Sequence, residues 1–210
     1  MVERKKIEEA VRSCLQDKGK RKFTQSVDLA INFKGVDFKK AENRLNADVV
    51  LPAGGKESKI AVFADGEIAA EAKKYADLVI PGSEIPAYAA DKAKQKELAK
   101  YSLLAIPQLM PVVGKQLGQV LAGRGKLPRP IMPNMNVAAL VAATRKTVSL
   151  KSKGKFLPSV HCLVGSENLK EEDLVANVTA VLEAVEKKIP ETNISSIYVK
   201  TTMGKPARVL

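Results

Sequence analysis

The middle of the sequence alternates between short apolar runs and stripes of apolar residues at helical spacing. The apolar runs have the length of buried strands and lie at 59–65, 77–80 and 103–106. The helical stripes lie at 67–76, 84–100, 112–121 and 137–147. Strands that alternate with helices in this way need right-handed crossover connections and form a parallel sheet. We therefore expect residues 59–150 to form a Rossmann-like α/β domain.

The two ends of the sequence follow a different pattern. Residues 3–17 have apolar residues at helical spacing, and residues 26–33 alternate strictly between apolar and small or polar residues. Further strands are expected at 47–51, 148–152, 158–164 and 195–203. A helix is expected after Asn168, which with Glu171 resembles a capping box. The core stripe of that helix is Leu174, Val178, Val181, Leu182 and Val185.

Neither end has enough elements to bury both faces of a sheet by itself. Together, residues 1–58 and 151–210 supply two helices that can pack on an antiparallel sheet. We therefore predict an α/β protein with a discontinuous α+β domain, 1–58 plus 151–210, interrupted by the parallel-sheet insertion 59–150. Pro52, Gly54 and Gly55 stand near the first junction, and their backbone properties predict a hinge there.

The charge balance favours a polyanionic partner. Lys and Arg outnumber Asp and Glu by 35 to 23, and phosphate contacts by such residues supply much of the affinity for nucleic acid. Two basic clusters fall in the split domain, one at Lys18, Lys20, Arg21 and Lys22 and the other at 151–155. A solvated basic surface without a partner is the alternative. An aromatic content of 4% without Trp argues against an extended platform for base stacking.

The sequence has no signs of export or membrane insertion. The first ten residues are charged throughout, and the apolar stretch 103–113 is interrupted by Pro107 and Pro111. Cys14 and Cys162 have no cysteine neighbours at metal-ligand spacing. We expect a cytoplasmic protein with reduced cysteines and no membrane partner.

Motifs for nucleotide chemistry are incomplete. The residues around Gly54 and Gly55 lack the first glycine of a P-loop, and Gly118 and Gly123 are followed by Arg124 instead of Lys. The dinucleotide fingerprint lacks its third glycine. The single histidine, His161, is next to Cys162 on a strand, where successive side chains point to opposite faces and cannot form a dyad. We expect no catalytic residues, no metal and no cofactor.

Four stretches, in order along the chain, resemble one family. They are KFTQSVD at 22–28, NRLNADVVLPAGGK at 43–56, GKQLGQVLAGRGKLP at 114–128 and YVKTTMG at 198–204. Together they are similar to large-subunit ribosomal protein number one, the universal stalk protein beside the tRNA exit site. Ala122 departs from the pattern, which often has proline there, and the lack of long terminal extensions resembles the archaeal type.

The resemblance implies a fold and a set of partners. The family has a split domain that binds stalk rRNA of the large subunit, and an inserted Rossmann-like domain on two connecting strands. It implies a dynamic ribosomal protein that helps to release deacylated tRNA from the exit site, represses its own mRNA, and is a monomer off the ribosome. A nucleotide-dependent enzyme and a free RNA chaperone are the alternatives.

Carried over by motif, the RNA contacts fall at the start of one strand and the end of another. They are Lys22, Phe23, Ser26, Asp28, Thr201, Thr202, Met203 and Gly204. Asp28 would repel phosphates but can accept a hydrogen bond from a ribose 2′-hydroxyl, so these residue types suit RNA better than DNA. The alternative is core packing for Phe23 and Met203, and ordinary sheet surface for the Ser and Thr residues.

Overall fold

The computed structural model describes residues 3–17, 19, 21–40, 43–55, 58–132, 136–152 and 157–210. The chain divides into two compact units, residues 1–56 with 146–210 (unit 1) and residues 57–145 (unit 2). The second boundary lies between residues 145 and 146. The sequence pattern placed it between residues 150 and 151. The strand that begins at Thr147 pairs with unit 1, which explains the difference.

The secondary structure follows the two patterns seen in the sequence. The described strands are β1 Ser26–Phe33, β2 Asn46–Val50, β3 Ile60–Phe63, β4 Leu78–Ile80, β5 Ser102–Ala105, β6 Arg129–Pro130, β7 Thr147–Lys151, β8 Ser159–Ser166, β9 Ile194–Thr201 and β10 Ala207–Arg208. The described helices are α1 Arg4–Gln16, α2 Gly66–Ala72, α3 Ile85–Ala90, α4 Lys92–Leu98, α5 Met110–Gly123, α6 Val137–Lys146 and α7 Glu171–Glu186.

Unit 1 has an antiparallel sheet in the order β10-β9-β1-β8. The strict alternation in β1 places Val27, Leu29, Ile31 and Phe33 on the buried face. Apolar residues of α1 and α7 join them in one core, and the stripe predicted for α7 is fully part of it. The other face of the sheet carries the polar residues of the strands.

A second, two-stranded antiparallel sheet of β2 and β7 lies where the chain passes between the units. Val50 is opposite Thr147, and the Leu51 N–H donates to the carbonyl of Lys146 at 2.9 Å. Just beyond β2, the side chain of the fully buried Asn177 bonds Ala53 N at 3.1 Å and Gly54 O at 2.7 Å. These bonds hold two residues of the predicted hinge segment against α7.

Unit 2 has a parallel sheet in the order β4-β3-β5-β6 with helices in its connections. All four residues of β3 are buried, as expected for the central strand of a sheet covered on both faces. The fold class predicted from the sequence is confirmed: an antiparallel α+β unit interrupted by a Rossmann-like α/β unit. Within the described ranges, none of the helices is both long and apolar enough to cross a membrane.

Three local predictions were wrong. The helix expected at 84–100 is broken at Asp91, which is extended and whose carboxylate accepts the Ala93 N–H to cap α4. Asn168 does not cap α7; it lies in the preceding turn, and the N-cap is Lys170 without a side-chain bond. No strand was expected between the helical stripes 112–121 and 137–147, but the edge strand β6 lies there, and Pro130 is tolerated in it because an edge strand leaves some N–H groups unused.

Candidate nucleic-acid interface

Antiparallel pairing brings the predicted RNA contacts together. Val27 is opposite Thr201, so the start of β1 and the end of β9 lie at the same corner of the sheet. We call residues 22–28 with 201–205 the β1–β9 corner. The sequence placed Thr202 and Met203 inside a strand, whereas the structure ends β9 at Thr201 and bends the chain immediately after it. Residues 202–204 thereby form a loop that projects from the sheet.

Every backbone N–H of the segment 202–205 is already bonded within the protein. The Thr202 N–H donates to Ser26 O at 3.0 Å and the Gly204 N–H to Thr201 O at 3.3 Å. The Met203 N–H donates to Gln25 Oε1 at 3.0 Å, and the Lys205 N–H to Asp17 Oδ2 at 3.2 Å. The loop is therefore held in one conformation before any ligand arrives, and its side chains stay available.

The residue at 204 must be glycine for steric reasons. A Cβ at this position would collide with Oγ1 of Thr201, whose side chain is fully buried below the loop. Thr201 is thus the exception among the predicted contacts, because its side chain supports the loop from inside and does not reach the surface. The absence of a side chain at Gly204 also leaves backbone open to a close approach by a ligand.

Gln25 is a buried polar residue at the centre of this arrangement. Its side chain is fully buried, and its Oε1 accepts the Met203 N–H. The carboxylate of Glu167 accepts both the Gln25 backbone N–H at 2.9 Å and the Gln25 Nε2 at 3.2 Å. We call these contacts the Gln25 clamp. It ties the loop after β9 to the turn between β8 and α7.

Two large apolar side chains of the corner are exposed to solvent. Phe23 is 52% exposed and Met203 is 58% exposed, although both residue types usually pack inside proteins. Lys22, next to Phe23, is exposed as well. The alternative of core packing for Phe23 and Met203 is therefore wrong. An apolar pair beside a cation is suited to a partner with flat bases and phosphates.

Asp28 lies half-buried on the polar face of the sheet. It is opposite Lys200 on β9 and Leu163 on β8. Burial raises the pKa of the Asp28 carboxyl, and the nearby charges of Lys200 and His161 only partly oppose this effect. His161 is exposed on β8, whereas Cys162 beside it is buried, which confirms that the two side chains point apart.

Both cysteines are buried free thiols. Burial, followed by the charge of Asp28, raises the pKa of Cys162 to about 12, so its thiol is protonated at neutral pH. Among the residues that the structure describes, no group of three or more His, Cys, Asp or Glu is placed to hold a metal ion.

Sequence reasoning missed Gln25, Glu167, Asp17 and Lys200. One signal was present for Gln25. It continues the series of alternate, inward-facing residues that includes Val27 and Leu29, so its polar side chain was expected to be buried and hydrogen-bonded. Nothing local marks Glu167, which is 142 residues away. Of the predicted basic clusters, Lys18, Lys20 and positions 153–155 lie outside the described residues, whereas Arg21 and Lys22 are exposed.

Comparison with known proteins identifies the family. The family model described as "Ribosomal protein L1p/L10e family" matches residues 14–205. The chain belongs to this family. It is similar to the large ribosomal subunit protein uL1 of Methanocella arvoryzae, with 41% identity over 99% of each chain. The corresponding protein of Thermofilum pendens is 44% identical over 97% of this chain and 92% of its own.

A third relative, the large ribosomal subunit protein uL1 of Methanosarcina mazei, is 42% identical over the full length of both chains. The resemblance inferred from the four motifs is therefore confirmed. All three relatives, and the description of the matched family, carry the name of a ribosomal protein.

Proposed function

We propose that this member of the L1p/L10e family binds stalk rRNA of the large ribosomal subunit in the cytoplasm through its β1–β9 corner. Lys22 contacts phosphates, Phe23 and Met203 contact bases or sugars, and Ser26, Asp28 and Thr202 bond ribose hydroxyls. Off the ribosome the protein is a monomer. Family membership and the clustering of these residues at one corner support the proposal.

The observation that carries the proposal is the bonding of the loop 202–205. Ordering a flexible loop on binding costs affinity, and a loop that is already held avoids this cost. Here four backbone N–H groups are satisfied internally, so the ligand meets a formed surface. Such a surface suits a folded RNA whose shape is also formed before binding.

The hydrogen-bonding capacity of the corner favours ribose over phosphate. Thr202 Oγ1 donates to Ser26 O and accepts from Ser26 N, which leaves one lone pair for a further donor. Asp28 has no hydrogen to give when ionised and repels phosphate. Both groups can accept a bond from a ribose 2′-hydroxyl, which DNA lacks.

Thr202→Val tests this role, because valine keeps the shape and removes the hydroxyl. We expect a loss of stalk-rRNA affinity of about 1–3 kcal/mol. Thr192→Val is the control, since Thr192 is exposed at the opposite end of β9. Asp28→Ala should weaken binding by a similar amount. A DNA version of the hairpin that binds as well as the RNA would contradict the proposal.

We also propose that the insertion meets deacylated tRNA at the exit site, and that the β1–β9 corner binds an element of the protein's own mRNA. One surface can bind two RNAs of the same shape, so the second role follows if the message mimics the stalk. Footprinting on the mRNA should show protection near its start, with lower affinity than for rRNA. Equal protection of unrelated structured RNAs would favour a free RNA chaperone instead.

The hinge is proposed for the connection around Pro52, Gly54 and Gly55. Because Asn177 holds Ala53 and Gly54, we place any bending at Gly55. The test is a pair of spin labels, one in each unit. Asn177→Ala should broaden their distance distribution, whereas an unchanged distribution would contradict the anchoring role.

A nucleotide-dependent enzyme is the other function that the α/β unit could suggest. Nucleotides in such sheets bind at the carboxyl ends of the strands. At that end Asp65, after β3, accepts the Gly82 N–H at 2.8 Å, so a carboxylate takes up a backbone donor that a phosphate would need. Millimolar ATP or NAD should leave the melting temperature unchanged, and a clear rise would support the enzyme.

A further inference from the structure

The two ends of the parallel sheet in unit 2 carry opposite charge. The segments at the carboxyl ends of the strands are 64–67, 81–84, 106–109 and 131–132. They contain Asp65, Glu67 and Glu84 and no basic residue. A polyanion would be repelled from this end, which is where α/β sheets usually bind their ligands.

The opposite end is basic. Parallel strands all begin at one end of the sheet, so the segments 58–59, 73–77, 99–101 and 124–128 lie together there. We call this end the basic edge. Its cations are Lys59, Lys73, Lys74, Lys100, Arg124 and Lys126. The single acid in these segments, Asp77, is used internally, because it accepts the Ile60 N–H at 2.8 Å and pairs with Arg145 at 3.2 Å.

Structural roles account for only part of this charge. Lys73, Lys100 and Arg124 follow the ends of α2, α4 and α5, where the helix dipole favours a cation. Lys59 precedes a strand and caps no helix, whereas the Lys126 N–H donates to the Leu121 carbonyl at 2.9 Å and closes the end of α5. When Glu71 and Glu97, from the last turns of the preceding helices, are counted with Asp77, the six cations are balanced by only three carboxylates. Lys59, Lys73, Lys74, Lys100 and Arg124 are exposed, and none pairs with a carboxylate that the structure describes.

Aromatic side chains lie among these cations. Tyr75 precedes β4 and is 46% exposed, and Tyr101 directly precedes β5. Cations bind phosphates, and an exposed tyrosine ring can stack on an unpaired base or a ribose. The combination fits a folded RNA with bases outside its helices better than it fits an acidic protein.

We propose that the basic edge is the surface of the insertion that binds tRNA, with lysines on the backbone and Tyr75 stacked on an unpaired nucleotide. The inference rests on the proposed function that the insertion meets deacylated tRNA, and it specifies the surface. Stalk rRNA is bound by the β1–β9 corner of unit 1, so the two RNAs use different residues.

The test uses the full chain bound to a stalk-rRNA fragment and titrated with deacylated tRNA across several salt concentrations. Lys73→Gln with Lys74→Gln should weaken tRNA binding at least about 5-fold and reduce the salt slope by about 1.5, because each lost phosphate contact removes about 0.7–0.9. Lys92→Gln with Lys115→Gln is the control, since it removes the same charge from exposed positions outside the basic edge. Tyr75→Ala should weaken binding further, and Tyr75→Phe should not.

Four results would overturn the inference. Equal effects of the two lysine pairs would show that only the total charge matters. An equal loss of rRNA affinity in the edge variant would assign the edge to rRNA. If the unchanged protein binds rRNA but no tRNA, the proposed tRNA function fails as well. Normal tRNA binding by both lysine pairs would overturn the choice of surface alone.

Discussion

The Gln25 clamp can be tested sharply, because substitution can exchange the amide of Gln25 and the carboxylate of Glu167. In Gln25→Glu, two carboxylates would face each other where Nε2 and Oε2 are now 3.2 Å apart. The Met203 N–H would lose a well-placed acceptor if the new side chain turned away. The reciprocal pair Gln25→Glu with Glu167→Gln restores each contact. In this paired variant the carboxylate at position 25 accepts from the Met203 N–H and from the amide N–H at position 167. The amide oxygen at position 167 accepts from the backbone N–H of residue 25.

The magnitude follows from the number of backbone groups released. Only the Met203 N–H loses its acceptor, because the bonds of Thr202 and Gly204 do not involve the clamp. Freeing about one residue costs roughly 1–2 kcal/mol of ordering on binding. We therefore expect Gln25→Glu to weaken stalk-rRNA binding about 5- to 30-fold. The paired variant should recover most of this loss.

Acid should partly rescue the single variant. Two facing carboxylates raise the pKa of one of them, so its proton is bound at low pH and lost as the pH rises. Stability and affinity should therefore improve as the pH falls. Fluorescence anisotropy with the stalk fragment, far below the melting temperature, measures affinity, and hydrogen exchange at Met203 reports the loop. Gln119→Glu, on the exposed side of α5, is the control. Wild-type affinity in Gln25→Glu, or no recovery in the paired variant, would refute the role of the clamp.

Three further predictions follow from burial and topology. Asp28→Asn should raise the melting temperature at pH 7.5, because burial raises the pKa of this carboxyl and its ionisation costs stability. This gain should vanish as the pH is lowered. Glu9→Gln, on the exposed side of α1, is the control, and any effect it has should not vanish in this way. Asn177→Ala should cost about 2–4 kcal/mol in urea unfolding, because three partners lose their bonds, whereas Asn46→Ala at an exposed site should cost little. Replacing 57–145 with a short Gly/Ser linker should leave rRNA affinity and its salt slope nearly unchanged, and a loss above about 100-fold (~2.7 kcal/mol) by a folded variant would contradict this.

The parts of the fold predicted best are those in which one short-range pattern acts alone. The bounds of β1 are those expected, because alternation over eight residues has no helical interpretation. The single helix expected at 84–100 was wrong because its apolar spacing continues across Asp91, and the break depends on a local cap. β6 and β10 have two residues each and exist only through pairing with β5 and β9. No periodicity can reveal strands of that length.

The candidate site was predictable as a set of residues but not as a mechanism. Motif resemblance gave the exposed residues, whereas the groups that hold them come from distant segments: Glu167 from the turn after β8, and Asp17 from the end of α1. Such contacts depend on tertiary structure. The burial of Thr201 follows from the alternation of buried and exposed residues along β9, but it could be predicted only once the end of that strand was known.

The position of β1 explains why the site needs both parts of the split unit. β1 lies between β8 and β9, and the whole insertion separates it from them in sequence. Closing so long a loop is entropically costly. A separately folded insertion shortens the loop that has to be closed, and the β2–β7 pair holds the two ends of the insertion together. The loop 202–205 then bonds to Gln25 and Ser26 at the start of β1 and to Asp17 at the end of α1. The proposed RNA surface therefore forms only after the two parts have paired, and we expect an incompletely folded chain not to bind the proposed RNA partners.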